Sequence, residues 1–531
     1  MNVLFLGMPV PLDLINEQDP KCHHAKIGAL AQINLLRGLK REKDNDIRVI
    51  TTMPDGKGGE IDLGNNINAR VVPNWRSESF GIFLASLIPT NTVAFFSEMR
   101  KMKRLHKNEK VIVMTLNTAL PFSVPVLLSR IFYKNITWCP FLVDSIETPH
   151  YGNILFRIAS RFSVWVAKHA DASITYNVPN STDYIPNKPY LELLFGVNKK
   201  DMKLYKEYKL PKNKKFTIAY VGALTDIYNF KAIIQVIQNT GKKYHWIFAG
   251  YGPNEDVIRK LSRDNKYDVE YLGVLSHDEA IKLHKRADLL LCLRLSDGSK
   301  VNSYSARYAT SGKLTEYLCS GTPVLATEIG AVSPQIKPFL NLMTETSAKA
   351  IRSKIEDIVK SYKQETAKAK DGQSFVFDMC SEKYQNEAVN DFIANLDGQT
   401  SDNSTKCDKI NRKMNWILIL LYVSLTAGGL ILLKLGTGGK PLVSSVEGQI
   451  IWNIGIVSIL GLFCYGVSFL LYMFLVSKFD LGYIVPLTTG LVYILVFAAS
   501  FLVFKEAFSV IKVFAICLVI SGVILLNLKS K

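Results

Sequence analysis

From Met414 to Lys531 the chain is almost continuously apolar, and the apolarity falls into four pieces: Trp416–Leu433, Ile450–Val476, Gly482–Phe504 and Ser509–Leu528. A helix needs ~20 apolar residues to cross a ~30 Å hydrocarbon layer, because its backbone polar groups must be satisfied inside it. Each piece meets that length, and no stretch before Arg412 matches them. The pattern predicts a large water-soluble body joined to a small domain of four membrane helices.

At 531 residues the chain is too long for a single core, so several domains are expected. The formal charge is +18, and residues 401–531 hold eleven Lys/Arg against five Asp/Glu, which is +6 and leaves +12 for the soluble part. Beside membrane spans, such an excess fits an anionic lipid surface and anionic substrates. Nucleic acid is not expected, since no zinc-finger spacing or aromatic–basic strand signature is present. The eight cysteines are scattered without a C-x-x-C pair, which reads as free thiols in a reducing compartment and leaves a metal site unexpected. MNVLFLGMP reads as a short buried strand ending in Pro, with no basic leader region or cleavage site. Lys406, Lys409, Arg412 and Lys413 before the first span, Lys478 between the second and third, and Lys529 and Lys531 after the last favour both termini and the soluble body on the cytoplasmic side.

Within the body, apolar runs alternate with helical patterns. VLFLG (3–7), IRVIT (47–51), VIVMTL (111–116), ITWCPFLVD (136–144) and ASITY (172–176) read as buried strands, with helices near 26–41, 119–133 and 153–169. After the Lys-rich stretch 199–215 the alternation restarts with FTIAYVG (216–222), YHWIFAG (244–250), VEYLGV (269–274), DLLLCLR (288–294) and TPVLAT (322–327). Alternation of this kind predicts α/β halves, each a doubly wound parallel sheet covered by helices, with ligands beyond the carboxyl ends of the strands. The expected domains are 1–198, 199–396, a polar linker 397–413, and the four-helix membrane domain 414–531. Phe80–Phe96 is also strongly apolar and is followed by Arg100, Lys101, Lys103, Arg104 and Lys107. Pro89 makes it a poor span. It reads either as a surface that docks on lipid or as an interior helix followed by a solvated one.

The most specific local signal is YATSGKLTEYLCSGTPVLAT, Tyr308–Thr327. Ser311 can cap a helix running to about Ser320, Gly321 ends it and Pro323 blocks its continuation. Lys313 in the first turn opposes the helix dipole, a conflict that a bound anion removes. Glu316, one turn on, can accept hydrogen bonds from two adjacent ribose hydroxyls. An ordinary amphipathic helix with solvated Lys and Glu is the plainer alternative.

This stretch resembles the nucleotide-binding signature of group-1 retaining glycosyltransferases of the two-domain GT-B fold, in which a K-L-x-E-Y helix leads to G-x-P-V and a strand. YVGAL (220–224), FAGYGPNED (248–256) and VEYLGVLSHDEAIKLHKRADLLLCLR (269–294) continue the likeness in order. The resemblance implies two Rossmann-like domains, with Glu316 on the ribose and Lys313 on the phosphates. It further implies that Gly222 admits the donor to the backbone and that Gly250 and Gly252 shape the wall near the base. Gly28 in AKIGAL stands where the family's Gly-rich loop closes over the diphosphate. His23 and His24 are expected to be exposed loop residues. Asp144 ends a strand facing the cleft, where the family often places a polar residue that contacts sugar or acceptor; a helix cap or turn is the equal alternative. Many relatives carry an Arg and a Lys on the phosphates shortly after the equivalent of Gly222. Here the segment is ALTDIYNFKA, so only Lys231 is available. The family's acidic residue two turns before Glu316 is replaced by the region of Tyr308, Ala309 and Thr310, with Asp297 or Arg307 as substitutes for parts of these roles. Neither a metal nor any other cofactor is expected, and the family implies retention of anomeric configuration.

The apolar domain is similar to the small multidrug resistance and EamA-like transporters through LILLKLG (430–436), SFLLYMFLVSKFDLGYIVPLTTG (468–490) and SGVILLNL (521–528). Gly482, Pro486, Gly490 and Gly522 are the positions expected to allow close helix contact or bends. Drug–proton exchangers of that family carry a Glu in span one where this chain has Thr426, so proton-coupled drug export is not expected. A sub-branch thought to move polyprenyl-phosphate-linked sugars also lacks that Glu. Together the readings imply a membrane-bound glycosyltransferase that takes a nucleotide sugar in the cytoplasm and passes its sugar to a lipid-linked or polysaccharide acceptor. A homodimer through the membrane helices is one further expectation. The competing readings are a transporter with a non-catalytic sensing domain and a nucleotide-sugar epimerase.

Overall fold

The computed structural model describes residues 1–504 and 522, apart from 17, 41–44, 108, 134, 144–153, 196, 198, 209, 210, 212, 213, 296–305, 309–311, 399–403, 438–442, 447, 448, 453, 454 and 480. These residues form two compact units, Met1–Thr400 and Ser401–Lys531.

The first unit holds two six-stranded sheets. Strands β1 (Asn2–Leu6), β2 (Asp46–Thr52), β3 (Gly59–Asp62), β4 (Asn68–Val72), β5 (Val111–Thr115) and β6 (Ile136–Trp138) make the first, in the order β3-β4-β2-β1-β5-β6. All pair in parallel except β3 with β4. Strands β7 (Phe141–Leu142), β8 (Ser173–Thr175) and β9 (Tyr190–Glu192) form a small parallel sheet of their own. The run 136–144, expected as one strand, is therefore two strands in two sheets. Pro140 separates them, because it has no N–H to give to a ladder.

Residues on alternate positions of β1 and β5 bury into opposite layers. Leu4, Leu6, Val111 and Val113 meet the helices α2 (Phe80–Leu105), α3 (Leu120–Phe132) and α4 (Ile154–Ala167). Val3, Phe5, Ile112 and Met114 meet helix α1 (Lys26–Lys40). Helix α2 runs through Pro89 and buries Phe83, Leu87, Phe95, Met99 and Met102, so the interior reading of Phe80–Phe96 holds for that face. A short helix, α5 (Val178–Tyr184), follows β8.

The second sheet consists of β10 (Thr217–Val221), β11 (His245–Ala249), β12 (Val269–Tyr271), β13 (Leu289–Cys292), β14 (Val324–Thr327) and β15 (Asn341–Met343). Its order is β12-β11-β10-β13-β14-β15, all parallel, which is the doubly wound Rossmann arrangement. The helices that serve it are α6 (Lys199–Glu207), α7 (Phe230–Thr240), α8 (Glu255–Arg263), α9 (His277–Arg286), α10 (Gly312–Cys319), α11 (Ala348–Lys360) and α12 (Tyr362–Met379). Helix α9 starts on a capping box in which Ser276 and Glu279 satisfy each other's backbone N–H groups.

Helix α13 (Glu382–Gly398) leaves the second sheet and packs on the first half. Val389, Ile393 and Leu396 enter the layer beneath β1 and β5, and Asn390 Nδ2 donates to the Gly38 carbonyl at 3.0 Å. Each such fully buried aliphatic side chain is worth ~1.5–3 kcal/mol.

The second unit opens with α14 (Ser404–Gly436), so residues 404–413, expected in a linker, are helical. A hairpin of β16 (Val443–Val446) and β17 (Gln449–Trp452) precedes α15 (Ile456–Lys478) and α16 (Leu481–Leu502). The second apolar helix thus starts at Ile456 rather than Ile450. Leu418–Gly436, Ile456–Met473 and Gly482–Ser500 are long and apolar enough to cross a membrane, as is α2 by length and composition. The expected span Ser509–Leu528 lies outside the described residues. Close approach between α14 and α15 occurs at Gly429 and Gly461, where a Cβ on Gly461 would stand 2.7 Å from the Leu433 nitrogen. A Cβ on Gly482 would have open space.

Candidate active site

Four parallel strands of the second sheet end together. β10 ends at Val221 and leads to Gly222, β11 leads to Gly250, β13 leads to Arg294, and β14 ends at Thr327. Helix α10 begins at Gly312 on this edge, and Ser311, its expected cap, lies outside the described residues. Tyr317 anchors it: its hydroxyl donates to the Val221 carbonyl at 3.1 Å and accepts from the Val221 N–H at 3.0 Å. Gly321, at φ 66°, closes the helix as expected.

The glycines of this edge are required by crowding. Gly222 has φ 133°, and a side chain there would collide with Lys313 Nζ and Cε. Gly250, at φ 134°, lies directly on the Gly222 carbonyl. A Cβ on Gly252 would come 2.7 Å from the Leu224 carbonyl oxygen. The three glycines and Lys313 therefore form one contiguous patch.

Lys313 lies half-buried against two tyrosines. Its Nζ donates to Tyr220 Oη at 2.8 Å, and Tyr220 Oη donates in turn to the Ala223 carbonyl at 2.6 Å. The same Nζ is 3.8 Å from the centre of the Tyr228 ring. Burial pulls the Lys313 ammonium down to about 8, and the nearby Arg294 charge acts in the same direction. Arg294 is 8% exposed, with its guanidinium carbon 6.0 Å from the centre of the Tyr228 ring. Tyr228 sits on the 3-10 turn Asp226–Tyr228, which the Leu295 N–H ties down through the Ile227 carbonyl at 2.7 Å. Two cations and the N-terminal end of α10 thus share one corner, where negative charge is stabilised. Glu316 is half-buried one turn along, and burial raises its carboxyl above the ordinary value while His277 and Lys313 pull it back.

Other expected residues fall elsewhere. Gly28 lies within the first turn of α1, not in a loop, and a side chain there would meet nothing within 4 Å. Lys231 is exposed in the first turn of α7. His24 is 5% exposed rather than open to solvent; its Nε2 contacts the Thr52 carbonyl at 3.1 Å, and burial lowers it to about 4. His23 is partly buried against Phe80 and Phe83. Arg307 is occupied by Asp183, at 2.7 and 3.0 Å, and Tyr308 Oη donates to the same carboxylate at 2.8 Å. Asn177 Nδ2 adds a bond to the Arg307 carbonyl at 3.2 Å. The segment at 307–308 therefore latches the second half to α5 of the first. Asp144 and Asp297 lie outside the described residues. Among the described residues no three His, Cys, Asp or Glu side chains converge as metal ligands.

Sequence reasoning missed Arg294, Tyr220 and Tyr228. The strand ending LLLCLR held the signal for Arg294, since it places the side chain just past the carboxyl end of β13.

Residues 201–374 match the family model of the glycosyl transferases group 1. These residues carry a group 1 glycosyltransferase domain. The fold of this glycosyltransferase is similar to that of sucrose-phosphate synthase from Thermosynechococcus elongatus, with a TM-score of 0.52 and 12% identity over 75% of this chain and 100% of that one. HepE from Anabaena, in complex with UDP, superposes at a TM-score of 0.47 with 14% identity, over 75% of this chain and 99% of the other. A curated relative, the uncharacterized membrane protein YvaE of Bacillus subtilis (strain 168), is 30% identical over 115 residues, 22% of the glycosyltransferase and 86% of YvaE. That length fits the apolar stretch Met414–Lys531.

Proposed function

We propose that the enzyme transfers a sugar from a nucleotide-sugar donor to a lipid-linked or polysaccharide acceptor at the cytoplasmic face of a membrane, with retention of anomeric configuration. The observation that carries this reading is the corner made by Lys313, Arg294 and the start of α10 beside Gly222. A nucleoside diphosphate leaving group gains charge as the glycosidic bond breaks, and fixed cations and backbone N–H groups aimed at that charge lower the barrier. In this reading Lys313 exchanges its tyrosine contacts for the diphosphate, Glu316 accepts from the ribose hydroxyls, and the tight glycine backbone leaves room for the donor. No metal is needed for that charge stabilisation.

The membrane helices retain, present or translocate the lipid-linked species. Thr426, where drug–proton exchangers have Glu, is 7% exposed, and its hydroxyl donates to the Tyr422 carbonyl at 2.8 Å. This supports a role other than proton-coupled export. To test the reading, membranes holding the full chain are incubated with a panel of radiolabelled nucleotide sugars and the lipids extracted. One donor is expected to label a lipid or polymer product, and Glu316→Ala to abolish the label. Nucleotide binding without any transfer would instead favour a sensing domain on a transporter.

A further inference from the structure

Helices α2, α3 and α4 cover the same face of the first sheet, and their outward sides form a surface that the catalytic reading does not use. On α2 the buried stripe leaves Ile82, Ala85, Pro89 and Val93 outward, and the same stripe continues into Arg100 and Arg104. Val93 is 69% exposed. A chain of contacts links this stripe to the other two helices. Phe96, one turn past Val93, meets Phe132 at the end of α3 at 5.5 Å between ring centres. Arg130 of α3 donates to the His169 carbonyl at 2.6 Å, and the His169 ring lies 4.6 Å from that of Trp165 on α4. Trp165 and Phe132 are 42% and 49% exposed, and Arg161 stands one turn from Trp165, also exposed.

Charge on these helices is one-sided. Their only acidic residue is Glu98, which is buried and held by Arg48, Arg70 and Lys101 at 3.1, 3.1 and 2.8 Å. The outward faces thus present aromatic and aliphatic side chains amid cations, and none of the exposed described residues of the three helices is a carboxylate. A protein interface carries depleted charge at its centre. An interfacial membrane surface instead pairs inserted apolar side chains with Lys and Arg at the headgroups. The chain already carries helices of bilayer length, so this surface is held at high local concentration near lipid.

We propose that the outward faces of α2, α3 and α4 form a second membrane contact, which inserts Val93, Phe132 and Trp165 at the headgroup boundary of an anionic leaflet, with Arg100, Arg104 and Arg161 on the lipid phosphates. The contact is independent of the donor site, and its test does not depend on transfer activity. The full chain is reconstituted in nanodiscs of phosphatidylcholine alone or with one-third phosphatidylglycerol, with the photo-crosslinker p-benzoylphenylalanine in place of Val93, Trp165 or, as a control on the second half, Val274. Lipid adducts are expected at 93 and 165 but not at 274, and the yield should rise on the order of ten-fold with phosphatidylglycerol. Arg100→Glu with Arg161→Glu should return the yield to the phosphatidylcholine level while nucleoside diphosphate binding is unchanged. The proposal is overturned by the absence of lipid adducts, by adducts to a second copy or to the chain's own apolar helices, or by equal yields in the two lipids.

Discussion

The Tyr317 hydroxyl serves both polar groups of Val221, and so fixes the second turn of α10 against the end of β10. Tyr317→Phe would leave a buried N–H and carbonyl without that partner, at a cost of ~1–3 kcal/mol, measurable by denaturant unfolding of the detergent-solubilised chain. Nucleotide affinity should fall with it, since the helix start is no longer held. Arg294→Ala is expected to weaken nucleoside diphosphate binding by roughly ten- to a hundred-fold, the worth of a charge-assisted hydrogen bond, in an equilibrium titration. Lys313 gives a pH signature. With its ammonium at about 8, the fraction charged drops as pH rises above that value, so nucleotide affinity should decline between pH 8 and 10. Lys313→Met should show weak binding at every pH. At this scale Lys313, Glu316 and the glycines were legible because their spacing forms an ordered motif. Arg294 has no spacing partner, and Tyr220 and Tyr228 read as core and turn residues until the fold brings them onto one ammonium. The Arg307 partner was hidden for the opposite reason: nearness in sequence to α10 drew attention from Asp183, more than a hundred residues away.

Among the elements, the alternation of strands and helices was legible in both halves, since parallel strands buried on both faces leave continuous apolar runs, while the short strands β3, β4, β9 and β15 went unread. The breaks were harder. Pro140 splits one run between two sheets, and the apolar residues Ile450–Trp452 lie in a hairpin strand, because a short apolar run does not distinguish strand from helix. Helix α13 is polar enough to read as the end of the second half, yet its apolar stripe is used by the first. Ile393 is fully buried there, and Ile393→Ala should cost ~2–5 kcal/mol. Thermal unfolding followed by hydrogen exchange should show the loss in α1 and β1, not in the second sheet.

For the whole molecule, two buried imidazoles set the acid limit. Burial lowers His24 to about 4 and His284 to about 3, while the unfolded chain titrates near ~6.5. Both are neutral in the fold, so the unfolded state binds more protons below ~6.5. Their contribution is fully present above that pH and is lost progressively as pH falls toward about 4 and then about 3. Melting temperatures measured from pH 7.5 to 4.5 should decline, and the slope should be shallower in the His24→Gln, His284→Gln double variant. The return of α13 has a mechanical meaning as well. The last soluble helix before the bilayer-length helices grips the first sheet, so the leash is fastened to the half opposite the donor corner. The chain crosses between the halves near Lys199 and Ser381, so the half that bears the Lys313 corner stands one step further along the backbone from the apolar helices than the half that α13 grips.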